Sequence, residues 1–309
     1  MHSDNLFVLT MLNLKGIGKK AVTLILDKEK LNIHHSTELI DVLREANKIS
    51  NKFRIPTKEE ILEAESNALR VIEASANKNI TIVNRSQKEF PKRLLDLNDV
   101  PILFVKGDVR ALSKQYAVAI VGTRQPTSFG LKASKRLAEL FATNNFVIVS
   151  GLAKGCDTAA HKGCLESNGV TVAVLANSLD RIYPKENIKL SERILTNSGC
   201  LLSEYSVGVK VIPKYFIQRD RLQSGLSQAV IVIETEINGR TMYTVKFARK
   251  QKRKIVCLAT HPEKLRSYKT FQGNLRLISD ETTYQFKNDE SIHLLMKQLK
   301  GQQRTKKNV

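Results

Sequence analysis

The chain predicts a doubly wound α/β fold with a mostly parallel sheet, preceded by a small all-helical region. Three observations carry that expectation. From about Ile80 onward, short apolar runs alternate with amphipathic stretches of helical length, the pattern of βαβ units. Two of these strand-to-helix crossings pause on glycine at the carboxyl end of an apolar strand, at Gly122 and Gly151. Before residue 77 the texture differs: Leu12, Leu14, Ile17, Val22, Leu24, Ile25 and Leu26 recur at near-helical spacing, without the alternation that marks strands.

Taken in order, residues 1–76 read as helical. Glu59–Ala76 places Ile61, Leu62, Ala64, Leu69, Val71 and Ile72 along an apolar side. Thr57 with Glu60 forms a capping box at its start, and Pro56 stands just ahead of it. The turn Leu14-Lys15-Gly16-Ile17-Gly18-Lys19-Lys20 is either a plain αα turn capped by glycine or a phosphate-contacting hairpin. Strands are then expected at Ile80–Val83, Ile102–Val105, Val118–Val121, Val147–Ser150, Val170–Leu175, Leu201–Glu204, Val230–Glu234 and Ile255–Ala259. Helices are expected at Ser128–Phe141, Thr158–Ser167, Ile188–Asn197 and Met242–Lys250. The strands from Val118 on are apolar on both alternating faces, as buried parallel strands are. The boundaries this implies are 1–76 for the helical region, 77–288 for the α/β domain, and 289–309 for a basic C-terminal tail. In that tail Lys297, Lys300, Arg304, Lys306 and Lys307 stand without acid beyond Glu290, and a short helix fraying into a solvated end is expected.

Charge narrows the partner. Among 309 residues, 50 Lys and Arg face 30 Asp and Glu, a net charge of +20. Such an excess points to a polyanion, with a membrane surface as the lesser reading. No apolar run approaches the roughly 20 residues of a membrane helix. The start, with His2 and Asp4, lacks the basic and apolar regions of an export signal. Cys156, Cys164, Cys200 and Cys257 show no CxxC spacing. They read as reduced thiols of a cytoplasmic protein used as small core residues, not as metal ligands.

Four segments carry candidate chemistry. Gly122-Thr123-Arg124 either holds a phosphate through backbone N–H groups, Thr123 and a bidentate Arg124, or is an ordinary tight βα turn. Gly151-Leu152-Ala153-Lys154-Gly155-Cys156-Asp157 is neither a Walker A loop nor GxGxxG, so no cofactor is expected. There Lys154 is a candidate phosphate contact, Asp157 reads as an N-cap, and His161 as a structural residue. Lys214, Phe216, Arg219 and Arg221 combine an aromatic ring with cations in a loop-like stretch, suited to single-stranded nucleic acid. Asn238-Gly239-Arg240-Thr241 adds a third anion-facing helix start. From Arg240 to Arg276, eleven Lys or Arg face a single acid, Glu263.

Read together, these residues resemble the DNA-processing protein A family (DprA/Smf). The similarity rests on Ala119-Ile120-Val121-Gly122-Thr123-Arg124, Thr127, Gly130, Ser150-Gly151-Leu152-Ala153-Lys154-Gly155, Asp157 and Ala160-His161. It continues through Leu179-Asp180-Arg181-Ile182-Tyr183-Pro184, Leu202-Ser203-Glu204-Tyr205, Phe216, Arg219, Arg221, Ser224-Gly225-Leu226-Ser227 and Gly273-Asn274. The resemblance implies an extended Rossmann-like domain and a non-enzymatic protein that binds single-stranded DNA. It further implies hand-over of incoming DNA to a RecA-type recombinase in natural transformation, often as a homodimer. The pocket it implies uses Gly122, Thr123, Arg124, Lys214, Phe216 and Arg219. The chain departs from the pattern at Asp220, where the family has asparagine, at Asn238–Thr241, and at Thr260-His261-Pro262. Two other classes compete: a nucleotide-processing phosphoribohydrolase of the LOG type, and a sensor of a nucleotide-derived ligand. The LOG family carries a carboxylate where Thr244 stands here.

Overall fold

The computed structural model describes residues 2–28, 35–50 and 54–301. Helices α1 (His2–Asn13), α2 (Lys19–Lys28), α3 (Leu39–Ser50) and α4 (Lys58–Ala76) come first. The expected capping box forms at α4, where Thr57 accepts from the Glu60 N–H and the Glu60 carboxylate from the Thr57 N–H. Next come strands β1 (Thr81–Asn84) and β2 (Ile102–Gly107), then β3 (Ala117–Val121), α5 (Ser128–Thr143) and β4 (Val147–Ser150). The chain continues through α6 (Cys156–Glu166), β5 (Thr171–Val174), α7 (Ile188–Thr196), β6 (Cys200–Ser203) and α8 (Pro213–Leu226). It ends with β7 (Ala229–Val232), α9 (Thr241–Lys250), β8 (Lys254–Leu258), α10 (Gln272–Ile278), β9 (Tyr284–Phe286) and α11 (Asp289–Gly301).

The strands form one sheet in the order β1-β2-β6-β5-β4-β3-β7-β8-β9. The β1–β2 and β2–β6 pairs are antiparallel and the others parallel. The chain winds outward from β3 to β6, returns through α8, and winds outward the other way from β7 to β9. The direction therefore reverses between β3 and β7, the place where doubly wound sheets open a crevice at their carboxyl edge.

Each face of the sheet is covered. Along β3, Ala117, Ala119 and Val121 pack toward α8, α9 and α10 through Leu222, Leu226, Val245, Ala248 and Leu277. Val118 and Ile120 pack the other way, onto Leu137 and Phe141 of α5 and Leu295 and Leu299 of α11. This accounts for the apolar character of both faces that the sequence displays. The first four helices share a core with Ile102 and Phe104 of β2 and Leu190 and Ile194 of α7.

Two expectations change and one is given its extent. The stretch after Lys214 is not a loop but α8, which opens on Pro213 in its first turn and buries Arg219, Asp220, Arg221, Gln223 and Ser224. The short helix expected at the start of the basic tail is α11, thirteen residues long, with Ile292, Leu295, Met296 and Leu299 buried on one stripe; residues 302–309 lie outside the described residues. Asp157 does not cap α6. Gly155 occupies that position, and Asp157 is the second residue of the helix, within its first turn, and accepts from the Gly151 N–H at 3.1 Å. All four cysteines are buried and free, and burial pushes the Cys164 and Cys257 thiols up to about 12.

Candidate functional site

Four loops leave the carboxyl edge of the sheet, after β3, β4, β5 and β7, and they interlock before they present anything to solvent. The Thr123 N–H donates to the Glu234 carbonyl at 2.8 Å, and the Cys156 N–H to the Thr123 carbonyl at 3.2 Å. Gly122 lies so close to Cys156 that a Cβ would overlap its side chain. Gly155, at φ +78°, is pressed against the Thr123 carbonyl and the Arg124 backbone. Gly151 leaves room for the Arg219 guanidinium and the Gln223 amide beneath it. The glycines that mark the motif thus serve loop-to-loop packing, where any side chain would collide.

A second layer of buried polar groups fixes the loops from behind. Glu234, at the end of β7, accepts from the Thr127 N–H at 2.8 Å and the Thr127 hydroxyl at 2.5 Å, which ties down the start of α5. Its Oε1 also lies 3.2 Å from His261 Nε2, and Gly130 leaves space for its carboxylate. Burial pushes the Glu234 carboxyl up, but these hydrogen bonds outweigh it and hold the group below its ordinary value. Asn274 bridges the ends of β7 and β8, accepting from the Thr235 N–H and donating to the Ile233 carbonyl. His161 donates or accepts at Thr171 inside the core, and burial lowers its pKa to about 3, so it stays a neutral structural group.

On this frame sits a cleft of about 350 Å³ lined by residues from β3, the β4 and β7 loops, α8 and α9. Phe216 lines both this cleft and the smaller annex beside it. The Arg124 guanidinium lies 5.2 Å from the ring centroid and that of Arg240 5.7 Å. Tyr183, from the β5 loop, meets the same ring edge-on at 5.7 Å. Neither Arg124 nor Arg240 forms a salt bridge among the described residues, though the positive charge of Arg240 reaches Asp220. A small annex of about 50 Å³ joins Arg124, Gly151, Lys154, Tyr183, Phe216 and Arg219. The sequence-predicted residues from three separate loops and one helix therefore meet at one rim.

Not all of them face it in the same way. Arg219 forms the floor: its Nε donates to Asp220 at 3.1 Å, and its Nη1 to the carbonyls of Gly151 and Val174. Lys154 is exposed and pairs with Glu186. Lys214 lies exposed on the first turn of α8 and lines neither cavity. Arg221 points elsewhere. It is buried in a network with Glu204, at 2.6 and 2.8 Å, and Asp99, at 3.0 Å, and Glu204 also receives Lys19 from the start of α2 at 3.3 Å. The expectation of a DNA contact at Arg221 is corrected by this geometry, because its donors are consumed by carboxylates.

The sequence reading missed four groups. Asp157 and Asp220 both line the cleft and flank Arg219. Burial raises the Asp220 pKa to about 6, against the pull of Arg219 and with the push of Asp157. Gln223 lies one turn further along α8 with its amide nitrogen buried and unpartnered. Tyr183 was readable as an aromatic on the same sheet edge; the acceptor and amide roles depend on α8 being a helix.

The fold and cleft define a doubly wound α/β protein with an aromatic-centred, cationic binding site at its topological switch point. A family model for DNA recombination-mediator protein A matches residues 81–296, and the chain belongs to that family. Protein Smf of Synechocystis sp. is 36% identical over 201 residues, 64% of this chain and 50% of that protein. DNA processing protein DprA of Bacillus subtilis is 35% identical over 187 residues, 60% of this chain and 63% of that protein. The chain thus spans about half the length of the first relative and under two-thirds of the second. The X-ray structure of DprA from Streptococcus pneumoniae superposes with a TM-score of 0.66 at 24% identity, over 90% of this chain and 98% of that one. A DprA structure from Helicobacter pylori, described for its single-stranded DNA binding mode, gives 0.63 at 29% identity, over 71% and 96%.

Proposed function

We propose that this chain is a non-enzymatic mediator that binds single-stranded DNA in the Phe216 cleft, protects incoming strands and helps load a RecA-type recombinase, acting as a homodimer. One observation carries the reading: two arginines that form no salt bridge among the described residues flank a single phenylalanine at the switch point of the sheet. That arrangement offers a stacking platform for a base and two cations for the adjoining phosphates, which suits single strands of any sequence. The net charge of +20 favours a polymer over a mononucleotide. The H. pylori relative, described as a single-stranded DNA binder, supports the same assignment. Against a phosphoribohydrolase, Thr244 and not a carboxylate lines the cleft from α9, and the Asp220 carboxylate is engaged by Arg219.

The test is anisotropy with labelled single- and double-stranded oligonucleotides at two ionic strengths. Neutralising about four phosphates predicts a loss on the order of 50-fold between ~50 and ~200 mM salt, with the single strand bound more tightly. Equal affinity for both forms, or affinity independent of salt, overturns the reading. Release of free base from nucleoside monophosphates overturns its non-enzymatic part.

A further inference from the structure

A second cavity of about 500 Å³ lies on the far side of the Asn238-Gly239 turn, which lines both it and the Phe216 cleft. Its walls come from α9 and α10. Tyr243, 38% exposed, contributes a ring, and Lys246 stands 5.4 Å from that ring's centroid. Lys246 and Arg276 have no carboxylate partner among the described residues, whereas Arg249 is paired with Asp280. The apolar part of the wall is Ile237, Met242, Val245 and Leu277. The chemistry of the first cleft is thus repeated one turn further along α9: an accessible aromatic ring beside cations that the protein itself leaves unpaired. Nothing in the core needs this arrangement, since Lys246 and Arg276 are exposed and the Tyr243 hydroxyl has no hydrogen-bond partner among the described residues, its backbone N–H alone donating to the Arg240 carbonyl.

We infer that this cavity is a second nucleotide subsite, and that a single strand leaving the Phe216 cleft crosses the Asn238-Gly239 turn to stack on Tyr243, with its phosphates on Lys246 and Arg276. The inference rests on the single-strand reading above and adds to it a path and a longer footprint. It also accounts for the local imbalance of eleven Lys or Arg against one acid between Arg240 and Arg276, which places a positive field along the proposed path.

The experiment compares oligothymidylates of about 3 and about 12 nucleotides on the wild-type chain and on Lys246→Ala/Arg276→Ala. The short strand fills one subsite and the long one both. The double variant is expected to bind the short strand unchanged and the long strand about tenfold more weakly, with a salt slope shallower by about 1.4 for two lost contacts. Tyr243→Ala should lower long-strand affinity while Tyr243→Phe, which keeps the ring, restores it. Circular dichroism and the thermal midpoint confirm that each variant is folded. Equal weakening of short and long strands, or no change in either, overturns the second subsite and leaves the first cleft standing. A wild-type chain that binds neither length overturns the single-strand reading itself.

Discussion

Four arginines surround helix α8, and they divide into two pairs with opposite fates. Arg124 and Arg240 come from loops at the sheet edge, are exposed, lie over the Phe216 ring and form no salt bridge among the described residues, although the charge of Arg240 is felt by Asp220. Arg219 and Arg221 come from α8 itself, are 6% and 8% exposed, and spend their donors on protein carboxylates and carbonyls. The same side chain is a ligand-seeking cation in one pair and a structural crosslink in the other. What decides is whether a carboxylate stands within reach in the fold: burying a guanidinium requires a partner, and a partner removes it from the binding field.

The strongest test of that division is Arg221→Ala. It leaves Glu204 buried beside Asp99 with only Lys19 as a cation. Removing one member of such a buried network costs about 3–5 kcal/mol. A fall of that size in unfolding free energy, read from the denaturant midpoint, is expected, while the folded fraction keeps its affinity for single strands. A variant of unchanged stability that has lost binding would move Arg221 back among the ligand contacts.

The complementary substitution is Arg124→Ala. No ion pair among the described residues depends on this side chain, so the thermal midpoint should stay within about 2 °C of the parent. Single-strand affinity should drop about tenfold or more, equally for every sequence, with the salt slope reduced by about 0.7 for one phosphate contact. Retained affinity would mean that the cation–π arrangement with Phe216 is not the phosphate-binding element.

How far the sequence disclosed this division differs between fold and site. The eight expected strands are all present, each within a residue or two of its expected bounds, because buried parallel strands are unmixed runs of Val, Ile, Ala and Leu. β9 went unread because three residues, Tyr284–Phe286, give no period. Helix α8 went unread for a better reason: its buried face is polar, with Arg219, Asp220, Arg221, Gln223 and Ser224 inside, so the apolar stripe that announces a helix is missing. α11 was expected as a short helix, and its buried stripe of Ile292, Leu295, Met296 and Leu299 is what the lysines hid. The rim was legible because glycines and cations follow consecutive strands of one sheet edge. Which arginines stay free was not, because Arg221 finds its partners 17 and 122 residues away in the chain. Only the three-dimensional register of β6 and the β1–β2 connection against α8 brings those carboxylates in.

Asp220 supplies the smallest and sharpest discriminator, since it puts a carboxylate inside the cationic cleft, facing Arg219, Asp157 and Arg240. Its pKa is raised from 3.8 to about 6, chiefly by burial. The folded chain therefore binds this proton more tightly than the unfolded chain, so its contribution to stability declines as pH rises from about 4 through about 6. Binding of an anionic strand shares the sign: the neutral carboxyl below about pH 6 removes a like charge from the cleft, and the ionised one above it restores the repulsion. At the distances of a cleft this is worth about 1 kcal/mol, roughly fivefold in affinity. Wild-type affinity is accordingly expected to rise between pH 7.5 and pH 5.5, and Asp220→Asn to bind more tightly at pH 7.5 and to lose most of that rise. The asparagine keeps an acceptor for Arg219, so the floor of the cleft is held while the charge is gone. A variant that keeps the full pH dependence would assign it to Asp157, the other carboxyl that burial raises beside Arg219.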